Sequence, residues 1–80
     1  MKAATLNPRI TFDPEIMSGK GCIRGMRVTA GMILGLLSTG ASRTEIIEHY
    51  PYLEDGDITA ALEYATWLAT ESDVPLQEVQ

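Results

Sequence analysis

The 80-residue chain has one cysteine, one histidine, one phenylalanine and one tryptophan. Cys22 alone makes no intramolecular disulfide and no cysteine-based metal site, which fits a reducing compartment. His49 has no identifiable partner of the kind that activates a nucleophile, so covalent catalysis is poorly supplied. No apolar run approaches the roughly 18–20 residues that span a bilayer, and the longest candidate, Met32 to Leu37, is broken by Gly35. The opening residues reach Pro8 before becoming hydrophobic enough for a secretory signal. A cytoplasmic protein without a membrane partner, a cofactor or a resident metal is expected.

Basic residues are scarce after the first third. Residues 1–27 hold five basic against two acidic side chains, a net +3, whereas residues 28–80 hold Arg43 alone against nine carboxylates, a net −8. An anionic partner should therefore meet the first third and a basic partner the rest. An acidic, solvated helix surface that keeps a small protein soluble explains the second half equally well. The 45% apolar content is that of a folding chain. Eighty residues make one domain with a thin core, so self-association is expected.

Residues 9–13, Arg-Ile-Thr-Phe-Asp, alternate with the period of a half-buried strand, and Cys22-Ile23-Arg24 gives a second extended piece after the Ser18–Gly21 turn. Thr29 caps a helix carrying Met32, Ile33, Leu36 and Leu37, which Gly40 ends. Ser42-Arg43-Thr44-Glu45 is a capping box for a short helix stopped by Pro51. The last helix is predicted from about Asp55 to Glu71. Ile58, Ala61, Leu62, Ala65, Leu68 and Ala69 form a core stripe on it, and Ala60, Tyr64 and Trp67 a second stripe. The fold class is α+β, mainly α: a short N-terminal β-ribbon followed by a trihelical helix-turn-helix-like bundle. Residues 1–71 form the domain and 72–80 a polar tail.

Lys20 between Gly19 and Gly21 lacks the spacing of a phosphate loop. Glu45, Glu48, Asp55 and Asp57 are explained by capping and helix-end electrostatics rather than by a metal. The helix-turn-helix layout brings in DNA, but Glu54, Asp55 and Asp57 at the start of the last helix oppose its insertion into a polyanion.

Asp13-Pro14-Glu15-Ile16-Met17, Gly19-Lys20, Ile23-Arg24-Gly25, Arg27-Val28, Gly40-Ala41-Ser42, Glu45-Ile46-Ile47, Tyr50-Pro51-Tyr52-Leu53 and the run from Asp57 to Ala65 stand in a characteristic order. In these blocks, over about residues 9–66, the chain resembles the domain of unknown function 433 family. The resemblance implies a small prokaryotic antitoxin that binds and neutralises a PIN-like ribonuclease toxin and can regulate its own promoter. The alternative is a dimeric helix-turn-helix repressor without a toxin. The family pattern has proline and threonine where this chain has Gly21 and Met26.

Two roles remain open for the Arg24–Arg27 loop. Either Gly25 supplies an unusual backbone angle while Arg27 pairs with carboxylates of the last helix or a second subunit, or Lys20, Arg24 and Arg27 contact DNA phosphates. Ile10, Phe12, Tyr64, Trp67, Leu76 and Val79 are the expected partner or homodimer interface.

Overall fold

A computed structural model describes residues 7–72. Strands β1 (Ile10–Thr11) and β2 (Cys22–Ile23) pair antiparallel, with Ile10 opposite Ile23 and Thr11 opposite Cys22. Helices α1 (Ala30–Ser38), α2 (Arg43–His49) and α3 (Asp55–Ser72) follow. The fold is α+β and mainly α, a β-ribbon followed by three helices.

The ribbon is shorter than the alternation of residues 9–13 predicts. Asp13 Oδ1 accepts the Glu15 amide at 2.9 Å, a side-chain turn that ends the extended run. β2 stops at Ile23 because Arg24 and Gly25 both take positive φ, 47° and 73°. Between the strands, Met17, Ser18 and Gly19 also have positive φ, 50°, 59° and 81°. For the two that are not glycine this costs roughly 1–2 kcal/mol each.

The helix ends follow from local chemistry. Thr29 Oγ1 accepts the Met32 amide at 3.1 Å and starts α1. At its far end the Gly40 amide donates to Leu37 O and the Ala41 amide to Leu36 O, the paired bonds of a Schellman turn, with Gly40 at φ 97°. The α2 capping box is complete: Ser42 Oγ accepts the Glu45 amide at 3.1 Å, and Glu45 Oε1 accepts the Ser42 amide at 2.8 Å.

Ile10, Ile23, Val28, Ala30, Ile33, Ile46, Leu53, Ile58, Ala60 and Ala61 form one core into which every element contributes. α3, at 1.5 Å per residue, is about 27 Å long, yet its buried apolar residues stop at Ala61. Leu62 and Leu68, expected in the core, are 39% and 42% exposed, and Ala69 is exposed too. Ala60, assigned to the outer stripe, is fully buried. The helix outruns the bundle, so periodicity finds its apolar face but not the point where the bundle ends. α3 reaches Ser72, one residue beyond the predicted end. The tail from residue 73, with Leu76 and Val79, lies outside the described residues.

Candidate functional site

The first turn of α3 gathers charge from three parts of the chain. Asp57, three residues after Glu54, reaches back so that Oδ2 accepts the Glu54 amide at 2.9 Å. Its carboxylate is fully buried. Arg24 grips it from the β2 loop, Nε donating to Oδ1 at 3.0 Å and Nη2 to Oδ2 at 2.8 Å. Arg9, just before β1, donates from Nη1 to Oδ1 at 2.8 Å and to Glu54 Oε1 at 2.8 Å. Both carboxylate oxygens are thus satisfied by charge-assisted bonds, the condition on which a buried ion is tolerated. Burial alone would push the Asp57 carboxyl up; hydrogen bonds from Arg24, the Glu54 amide and Arg9 outweigh it and lower the pKa from 3.8 to about 2.

Gly56 makes room for this arrangement. A Cβ there would stand 2.8 Å from Arg9 Cζ and 3.0 Å from Nη2, so the guanidinium lies flat against bare backbone. Arg24 also donates to Tyr52 O at 2.9 Å and so holds the α2–α3 connection. On the neighbouring side, Arg43 of α2 donates to Asp55 Oδ1 at 2.9 Å and to Thr59 Oγ1 at 3.0 Å. Three arginines and three carboxylates therefore meet at one helix end and cancel formally. Arg9 and Arg24 of the basic first third thus meet Glu54 and Asp57 of the acidic remainder within one chain.

Of the two contacts expected of Arg27, carboxylates of the long helix or of a second subunit, the first is made within the chain by Arg24 with Arg9. Arg24, at φ 47°, bonds to Asp57 and to Tyr52 O. Its bonded nitrogens are therefore committed within the chain. Lys20 and Arg27 are exposed, and among the described residues neither forms an ion pair. The unusual backbone angle expected at Gly25 is present.

The residues named as an interface separate into two groups. Ile10 is 7% exposed and belongs to the chain's own core, because β1 turns it onto α3, so it has little surface left for a partner. Phe12, Tyr64 and Trp67 instead form an aromatic strip. Phe12, half exposed, meets Tyr64 edge-on at 5.8 Å, and Tyr64 stacks on Trp67 at 6.3 Å with the rings 18° apart. Tyr64 lies close over Gly21, where a Cβ would stand 3.0 Å from Cζ and 3.1 Å from the hydroxyl. Gly21 is thus the floor beneath this ring. Trp67 Nε1 is buried and finds no acceptor among the described residues.

His49 is exposed, its Nδ1 3.1 Å from Glu45 O. It lines an open groove of about 260 Å³ with Leu36, Ala41, Ile46 and Tyr50. Among the described residues, no helix is long and apolar enough to cross a membrane.

The central carboxylate and Arg9 are the residues that sequence reasoning missed. An acid at a helix start is sufficiently explained by the helix dipole, and this hides the second role of Asp57. The opposite charges of the two parts of the chain were the available signal.

No curated protein and no solved structure matches the chain. Residues 10–65 match a family described as "Protein of unknown function (DUF433)", a span that takes in Arg24, Gly56, Asp57 and Tyr64 but stops before Trp67. The chain, matched over more than half its length, belongs to that family.

Proposed function

We propose that this protein is a non-catalytic, cytoplasmic binding module of the antitoxin type, which neutralises a PIN-like ribonuclease by stoichiometric contact. The observation that carries the reading is the part of α3 beyond Ala61, where Leu62 and Leu68 stay 39% and 42% exposed past the chain's own core, on a chain of net charge −5. A nuclease that binds RNA needs basic surface near its active site, and an acidic partner complements it. The family resemblance supplies the class of partner. No lysine or arginine follows Arg43, so inhibition does not place a basic C-terminal side chain among the nuclease's metal-binding carboxylates; it is steric.

The module acts as a homodimer. The strip of Phe12, Tyr64 and Trp67 supports this, since it leaves aromatic surface exposed in a small domain. Binding to its own promoter is a second activity of the complex. Lys20 and Arg27 support it as exposed cations, whereas Arg24 is a structural residue.

Co-expression with the product of the neighbouring reading frame, followed by gel filtration, tests the reading. One complex containing both proteins is expected. Independent elution, or a neighbouring frame that encodes no nuclease, contradicts it.

A further inference from the structure

Traced backwards from β1, the chain climbs α3. Arg9 meets Asp57 in the first turn, whereas Asn7, two residues earlier, donates from Nδ2 to Glu63 Oε1 at 2.9 Å. The two contacts lie about 9 Å apart along the axis, at 1.5 Å per residue. Asn7 is also tied to the ribbon, its Oδ1 accepting the Arg9 amide at 2.9 Å and its carbonyl the Ile10 amide at 2.9 Å. It is thus a fixed exit, from which residues 1–6 depart beside the third turn of α3.

Trp67 stands one turn beyond Glu63 on that side of the helix. Its Nε1 is buried, out of the reach of water, and has no acceptor among the described residues. A buried donor without a partner is costly, so whatever covers this indole has to bring an oxygen. The last turn of α3 sets a second condition. It holds no basic residue, and its free carbonyls are the negative pole of the helix.

Residues 1–6, Met-Lys-Ala-Ala-Thr-Leu, meet both conditions. Extended, they reach about 20 Å at roughly 3.3 Å per residue, against about 14 Å from Glu63 to Ser72. By length, Leu6 falls beside Trp67 and Lys2 near the carbonyl pole. A partner from solution competes with a segment that is already anchored at Asn7 and so stands at high effective concentration. We infer that residues 1–6 form a strap along α3, seated on Trp67, with a strap carbonyl accepting the Nε1 hydrogen and Lys2 facing the last turn. Phe12, half exposed at the other end of the aromatic strip, stays open to a second copy. The strap is a contact within one chain and does not depend on the nuclease reading.

Trp67 is the chain's one tryptophan, so its fluorescence and the proton resonance of its indole N–H read the contact directly. The full chain is compared with a chain lacking residues 2–6 and with the variants Leu6→Asp and Lys2→Glu. Circular dichroism checks that each is folded. In the full chain the indole proton should exchange slowly with water. In the shortened chain emission should move to longer wavelength, acrylamide quenching should rise several-fold, and the indole proton should exchange rapidly. Leu6→Asp should do the same in smaller measure, and Lys2→Glu should weaken the protection by an amount that fades at high salt. The two point variants carry the test if the shortened chain fails to fold. Emission, quenching and exchange that match the full chain in every folded variant would overturn the strap. A red shift of the full chain on dilution, in step with its dissociation into monomers, would assign the cover to a second copy and also overturn the inference.

Discussion

Arg24 holds Asp57 with two parallel hydrogen bonds, 3.0 and 2.8 Å, across 33 residues of sequence. The pair joins the β2 loop to the first turn of α3 and, with Arg9, closes the N-terminal ribbon onto the bundle. Asp57→Asn should therefore destabilise the fold by about 2–3 kcal/mol, the usual worth of hydrogen bonds to a charged group, because the arginines left behind are about a third exposed and reach water. For a small domain that is a large part of its total stability. Urea unfolding at neutral pH measures it, and a loss below about 1 kcal/mol would show that the cluster is decorative.

The same carboxylate sets an acid limit. It titrates at about 2 when folded, against an ordinary 3.8, so as pH falls the unfolded chain takes up this proton first. Stability from the group is complete above about pH 5 and is lost progressively towards pH 1, a swing of about 2–3 kcal/mol. The stability gap between wild type and Asp57→Asn should accordingly narrow below about pH 4. A gap that stays constant from pH 6 to pH 2 would contradict the assignment.

Gly56→Ala separates the contribution of Arg9 from that of Arg24. The added methyl displaces the Arg9 guanidinium, the far end of a flexible side chain, while alanine gains about 1 kcal/mol over glycine in a helix. Stability at neutral pH should change little, but the acid-linked swing should shrink because Asp57 loses one of its donors. Chemical denaturation across pH reads both quantities.

Gly21→Ala places a methyl about 3 Å from the Tyr64 ring, and the ring must shift by a few tenths of an ångström against Phe12 and Trp67. Overpacking of this kind costs roughly 1–3 kcal/mol. Trp67 is the chain's one tryptophan, so its emission reports the change in the stack directly. An unshifted emission maximum would place Tyr64 elsewhere in solution.

Promoter binding by the complex should involve Lys20 and Arg27 of each subunit. Four phosphate contacts in a dimer give a log-log salt slope near −3.6 from these residues, at about 0.9 per phosphate. Replacing Arg27 by Ala should weaken binding to all sequences alike and flatten the slope by nearly two units. An unchanged slope removes Arg27 from the interface.

Local signals were readable in advance: the Thr29 cap, the Ser42–Glu45 box and the Gly40 stop each depend on residues within one turn of one another. Features set by distant parts of the chain were not. Asp57 meets partners 33 and 48 residues away, and nothing near it in sequence distinguishes a buried hub from an ordinary helix-start acid. Leu62 and Leu68 keep helical spacing with Ile58, but only the length of the neighbouring elements decides that the core ends at Ala61. In the sequence Arg24 is one of three cations with an open role in phosphate contact, and no local pattern announces its bonds to Asp57, 33 residues away.

Assay of the product of the neighbouring frame for ribonuclease activity, followed by its titration with this protein, tests the central claim most directly. Activity should fall linearly to zero at a fixed whole-number ratio of the two chains, at once and without further decline over time. Activity that persists at a large excess of the protein, or that declines with incubation in the manner of catalysed inactivation, would contradict it.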